Sequence, residues 1–280
     1  MAPRFEAEVS ASVWQAVVDR RRRTGEDLSA IVDGALSEAF DLRRHSLFQV
    51  STSNALVQGV FGGVITVAEL GKHGDFGLGT FAGLDGELIM IDGECLRATA
   101  GGVVSRAEDD REVPFAVITW FTPDILERID ADATLDQVTA ILDGLRPSEN
   151  LFAGIRVDGM FSALMLRAAC PAAPGEDLVK ATRHQSEFQA SDVPGTLVGF
   201  WSPLYTRAVN IPGYHFHFIS SDRSIGGHVL DLKAASLQIE LHLESDLHLA
   251  IPETAEFLTA DLAGEHQAAL DEAETARHSD

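Results

Sequence analysis

The segment Gly213-Tyr-His-Phe-His-Phe-Ile-Ser-Ser-Asp-Arg-Ser-Ile-Gly-Gly-His-Val-Leu-Asp231 decides how this chain is read. Side chains two apart on a strand share a face, so His215 and His217 project to one side and Tyr214, Phe216 and Phe218 to the other. Ser220-Ser-Asp-Arg-Ser224 reads as a turn, and Val229-Leu230 as a second apolar run. A hairpin centred between Asp222 and Arg223 sets His217 opposite His228, and directly opposed residues of an antiparallel pair share a face. Three imidazoles then meet on one patch, a donor set that suits a tetrahedral zinc with its fourth position open. Gly226-Gly227 also marks the second strand for a bulge, which would shift this register.

Outward from the hairpin, short apolar runs and Gly-rich turns dominate. Leu197-Val-Gly-Phe200 reads as a buried strand just upstream. Residues 239–249 alternate, with Glu240, His242, Glu244, Asp246 and His248 on a face expected to meet solvent. Asp85-Gly86 and Asp92-Gly93 are hairpin-turn dipeptides beside the strand-like Leu88-Ile-Met-Ile91. Ile118 with Trp120, and Ile155 with Val157, indicate further strands, whereas residues 123–145 carry helical spacing and the tail from Ala255 reads as a polar helix. Gly74-Asp-Phe-Gly-Leu-Gly79 is Gly-rich but lacks the Lys and helix of a phosphate cradle. The class is α+β: a mostly β catalytic region over residues 46–280, behind a small module and linker over residues 1–45.

That leading module runs strand, helix, helix. Residues 4–9 alternate, Ser10 can cap a helix with Val13, Trp14, Val17 and Val18 on one stripe, and Thr24-Gly25 stops it. A second helix carries Ile31, Ala35, Leu36, Ala39 and Phe40. The order resembles a ribbon-helix-helix module, a family that pairs strands between subunits and reads the DNA major groove with them. Here the outer strand face would carry Arg4, Glu6 and Glu8, and two carboxylates oppose phosphate contact, so pairing of subunits is the better expectation than DNA binding.

Composition excludes several classes. Acidic residues number 43 against 21 basic ones, a formal net charge of −22, which repels nucleic acid and anionic membranes. An anionic substrate would need local cations. No apolar run approaches a membrane span, and the N-terminus lacks a signal peptide's apolar core. Cys95 and Cys170 give no disulfide framework, which fits a reducing cytoplasm.

From about Leu47 onward the residues resemble the α-acetolactate decarboxylase family. The resemblance rests on Gly79-Thr-Phe81, Leu84-Asp-Gly-Glu-Leu88, Asp92-Gly-Glu94, Arg156-Val-Asp-Gly159, Gly195-Thr-Leu-Val-Gly-Phe200, the histidine hairpin and Pro252-Glu-Thr254, in that order. It implies a two-lobed fold with mixed sheets, a homodimer, and zinc held by His215, His217 and His228. It also implies an active-site arginine at Arg167 rather than Arg156, a glutamate at Glu87 with Thr80 nearby, and a second glutamate from the tail at Glu274, with Glu272 the alternative. Ala168-Ala169 follows Arg167 where many relatives would carry a hydroxyl residue.

The implied reaction converts 2-acetolactate to (R)-acetoin and carbon dioxide, in an acetoin-forming branch of pyruvate metabolism. Loss of carbon dioxide leaves electrons on carbon, and zinc can stabilise the resulting enediolate as a Lewis acid without thiamine or pyridoxal. Arg167 would hold the substrate carboxylate, and Glu87 or Glu274 would supply the proton. Two other readings stand beside it: a zinc hydrolase using a metal-activated water, and a DNA-binding regulator that senses acetolactate.

Overall fold

The computed structural model describes residues 6–39, 45–173, 175–264 and 266–275. The chain divides into two compact units, residues 1–44 and 45–280. In the first, helix Ala11–Thr24 starts on Ser10, whose side chain accepts from Val13 N, and stops at Gly25 in the left-handed region at φ 76°. Helix Leu28–Ala39 follows. The expected strand does not form over residues 6–9, and Arg4 and Phe5 lie outside the described residues, as does Phe40. A lone strand has no ladder partner within one chain, so its backbone groups have nothing to pair with there.

The second unit holds two seven-stranded sheets. The first runs, edge to edge, Asp246–Ala250, Ser46–Val50, Phe115–Thr119, Phe76–Thr80, Glu87–Ile91, Glu94–Ala98 and Val104–Arg106. Only its first pair is parallel, so the sheet is mixed. The Asp92-Gly93 dipeptide joins Glu87–Ile91 to Glu94–Ala98 with both residues at positive φ, 52° and 78°, as a two-residue type I′ hairpin turn requires. Strand Phe76–Thr80 carries the Gly-rich run, and its glycines serve packing: a Cβ on Gly77 or Gly79 would lie 2.5 or 2.3 Å from a carbonyl of the neighbouring strand.

The second sheet is built on two long strands, Phe152–Ala168 and Gly226–Glu244, which pair along most of their length. Strands Gly213–Ser220 and Val193–Ser202 connect them on the other side, so these four strands close a ring. The core between sheets draws Leu47, Phe76, Ile89 and Phe115 from one and Phe152, Val198, Phe200 and Ile219 from the other, with Leu270 and Ala273 from the C-terminal helix Gln267–Thr275.

Two sequence expectations change here. Residues 123–145 are not one helix. Ile125–Ile129 is a strand paired with residues 237–241, and the helix is confined to Leu135–Leu145, where Thr134 and Gln137 form a capping box. The polar face of residues 239–249 is not uniformly solvated: His242 is 2% exposed and Glu244 fully buried, although His248 is exposed. Strand alternation identifies a face but not what covers it, and here His45 stacks on His242 at 4.8 Å between centroids.

No helix among the described residues is long and apolar enough to cross a membrane.

Candidate active site

The histidine hairpin forms in the register its turn implies. His217 lies opposite His228, Phe218 opposite Gly227 and Ile219 opposite Gly226, so the glycine pair introduces no bulge. Arg223, at φ 60°, carries the turn, and Ser220 Oγ accepts from Ser224 N and Ile225 N to close it. Gly227 is required for close approach: a Cβ there would sit 2.6 Å from Arg167 O. The irregularity falls on the other side of the strand, where Met165 pairs Asp231 but Leu166 pairs Val229.

Ring centroids of His215, His217 and His228 stand 5.0–5.6 Å apart, and His215 Nε2 is 3.1 Å from His228 Nδ1. His217 and His228 are 1% and 6% exposed. Burial holds all three imidazoles neutral: it pushes His215 down to about 3 and the other two well below their usual range, with the Arg167 charge adding to the effect. Nδ1 of His217 lies 2.9 Å from Leu88 O, a contact that fits Nδ1–H donation and leaves Nε2 as the lone-pair atom. A set of three neutral nitrogen donors within 4.8 Å of one another fits a borderline-soft dication such as zinc, with no proton to displace from the rings.

Arg167 lies on Phe152–Ala168 directly opposite His228 and is 4% exposed. Its guanidinium donates to Ala273 O of the C-terminal helix and reaches Glu274 Oε2 at 3.5 Å. It places a fixed positive charge inside a chain of net charge −22. Arg156, by contrast, is engaged by Asp92 and Asp158 at 2.8 and 2.9 Å, away from the histidines.

Two carboxylates approach from different elements. Glu87, the first residue of Glu87–Ile91, places Oε2 3.6 Å from His217 Nε2, while its Oε1 accepts from Ala169 N at 2.8 Å. Burial raises its pKa to about 7 against the opposing pull of Arg167 and the Ala169 hydrogen bond. Glu274 Oε2 stands 3.7 Å from His215 Nε2 and from His228 Nε2. Glu272 is turned away, more than half exposed and 3.8 Å from Arg183. Thr80 lines the same cavity, its hydroxyl donating to Gly86 O at 3.0 Å.

Sequence reasoning missed what holds this arrangement. The Ala169 N–H that fixes Glu87 is a backbone donor, invisible in residue type. Asp85, the turn residue two positions before Glu87, is gripped by Arg97 and Arg111, and Arg97 Nε also donates to Asp85 O at 2.6 Å. The Asp-Gly dipeptide signalled the turn but not this double clamp.

The model of the alpha-acetolactate decarboxylase family matches residues 47–264. A curated alpha-acetolactate decarboxylase of Methanosarcina mazei is 39% identical over 250 residues, covering 89% of this chain and 85% of that protein. The Bacillus subtilis enzyme of the same name is 38% identical over 217 residues, covering 77% and 85%. The crystal structure of the alpha-acetolactate decarboxylase from Bacillus subtilis superposes with a TM-score of 0.80 at 36% identity, covering 83% of this chain and all of that one. With the two-sheet architecture and the family match over most of its length, this chain belongs to the alpha-acetolactate decarboxylase family.

Proposed function

We propose that this chain decarboxylates 2-acetolactate to (R)-acetoin and carbon dioxide, with zinc held by His215, His217 and His228. The observation that carries the reading is the meeting of three neutral, buried imidazoles with one buried guanidinium and two carboxylates from separate elements. When bound, the dication supplies a Lewis acid that takes up the electron pair left by the departing carboxyl group. Arg167 binds the substrate carboxylate through charge-assisted hydrogen bonds and orients it for release. Its anchors, Ala273 O and Glu274, hold the guanidinium in place once carbon dioxide has gone. Glu87, whose pKa burial raises, hands a proton to the carbon that lost the carboxyl group; the bond from Ala169 N leaves the other oxygen free to carry it. Glu274, beside His215 and His228, holds the opposite side of the substrate.

The first unit is read as a ribbon-helix-helix-like pairing module of a homodimer rather than a DNA reader. Val13, Trp14 and Leu36 are 49%, 48% and 37% exposed in the single chain, which supports pairing. The acidic balance of the chain argues against phosphate contact. A cytoplasmic setting is supported by Cys95 and Cys170, both free thiols.

The test is an acetoin assay on purified protein. Wild type forms acetoin from acetolactate, and His217→Ala loses at least about 10²-fold of that rate. A loss under tenfold, or turnover of esters with no acetoin formed, would overturn the reading in favour of a hydrolase or a sensor.

A further inference from the structure

The substrate carboxylate of the proposed reaction needs more donors than Arg167 has to spare. Nη1 of Arg167 is committed to Ala273 O, and Nη2 faces Glu274 Oε2 at 3.5 Å. Nε is buried without a hydrogen-bond partner and is the unspent donor of this guanidinium. A carboxylate brings two oxygens with about four acceptor sites. A single N–H leaves its second oxygen unmet, and an unmet charged acceptor is costly in a pocket closed to water.

The neutral donors of the cavity narrow to one. Thr80 and Thr182 line it, but their hydroxyls donate to Gly86 O and Val179 O, both at 3.0 Å. Ala169 N is spent on Glu87 Oε1, and the Ala169 side chain is a methyl. Gln185 lines the same cavity, half-buried, and among the described residues its carboxamide has no hydrogen-bond partner. The backbone sets its place. Helix Leu178–Thr182 ends just before it, and Gln185 N donates to Thr182 O at 3.2 Å. Strand Ser186–Ala190 follows and pairs with Phe152–Ala168, setting Glu187 opposite Arg167 and Ser186 opposite Ala168. One step beyond that ladder the two strands contribute Gln185 and Ala169, and both line the cavity together with Arg167.

We propose that Gln185 is a positioning residue for the substrate carboxylate, its Nε2 donating to the oxygen that Arg167 Nε does not reach. This rests on the decarboxylation reading. A neutral amide suits that reaction. When the bond between the carboxyl carbon and C2 breaks, its electron pair stays on C2 and the carboxylate leaves as uncharged carbon dioxide. A contact to the carboxylate is therefore stronger before this step than during it, and such a contact tightens binding without speeding the bond breaking. A second cation would deepen that ground-state hold. An amide orients the anion at a smaller cost to the rate.

Gln185→Met keeps the length and bulk of the side chain and removes both donors. In zinc-loaded protein it is expected to raise KM for acetolactate about tenfold or more, with kcat at or above the wild-type value and zinc content unchanged. Gln185→Glu, which sets a second carboxylate against that of the substrate, raises KM further. Calorimetry supplies an arm that needs no turnover. There 2-hydroxy-2-methylpropanoate, which carries the carboxylate but no ketone, binds Gln185→Met about tenfold more weakly than wild type, whereas acetoin, which has lost the carboxylate, binds both within about twofold. Unchanged affinity for the acid overturns the proposal, as does a fall in kcat at constant KM or an equal loss of acetoin binding. A wild-type protein that makes no acetoin overturns the decarboxylase reading instead, and the calorimetric difference for the acid then still decides whether Gln185 holds a carboxylate.

Discussion

In the proposed reaction Arg167 is the residue on which recognition turns, because a chain of net charge −22 has to offset its own field to hold an anion. Arg167→Ala is expected to lower kcat/KM for acetolactate by about 10²-fold or more, with KM and kcat both affected, in steady-state assays. Glu87 gives a prediction about protons. Its carboxyl titrates near 7 in the metal-free protein, whereas the three histidines are already neutral there. A dication lowers the Glu87 pKa, so zinc binding to the trio near pH 7 is expected to release protons from this residue and none from the rings. Calorimetry in buffers of different ionisation heat measures the release, and Glu87→Gln abolishes it. The same histidines set acid stability. Their folded pKa values lie below the unfolded ones, so the unfolded chain binds more protons below about pH 6.5 and the metal-free protein loses stability as pH falls through that window. Each imidazole contributes a slope of about 1.4 kcal/mol per pH unit, seen as a falling Tm between pH 6.5 and 4. His215, His217 and His228 were legible in sequence because strand alternation and the five-residue turn 220–224 fix their direction. The donor to Glu87 was not, because Ala169 N belongs to the backbone just past strand Phe152–Ala168, 82 residues away.

At the scale of elements, the hairpin is tied to the opposite sheet through the contact of His217 Nδ1 with Leu88 O, so one side chain joins both lobes. The ladder beside it tolerates no bulk. A Cβ on Gly199 would meet Phe216 Cδ1 at 2.1 Å and His215 O at 2.9 Å. Gly199→Ala is therefore expected to cost about 1–3 kcal/mol in urea unfolding and to loosen zinc at the trio, because relief must come from moving the strand that carries His215 and His217. Hairpins read well from sequence here, since Asp92-Gly93 and residues 220–224 announce their turns. Residues 123–145 read poorly. Leu126 and Ile129 have helical spacing with Val138 and Ile141, but Leu126 is 64% exposed on a strand laid along residues 237–241. Apolar spacing alone does not distinguish an edge strand from a helical turn when the apolar residue faces outward.

For the whole molecule, the acidic field should slow capture of an anionic substrate at low ionic strength. Raising salt from about 10 to 150 mM shortens the screening length to about 8 Å, and KM for acetolactate is expected to fall by about twofold while kcat holds. Removal of residues 1–44, a compact unit of its own, is expected to leave kcat within about twofold and to weaken self-association, read by sedimentation velocity. The division into a leading module and a mostly β region follows from composition. Two sheets with a four-strand ring do not, since their closure depends on Phe152–Ala168 and Gly226–Glu244 pairing between residues 61 to 92 positions apart.

The C-terminal helix Gln267–Thr275 gives this assembly a timetable. It contributes Ala273 O and Glu274 to a pocket whose other members were all laid down earlier in the chain. A ribosome paused before residue 267 would hold a nascent polypeptide with all three imidazoles of the trio already synthesised, yet without the carbonyl and carboxylate that seat the guanidinium. On the proposed reading, chemistry waits until translation delivers the closing segment.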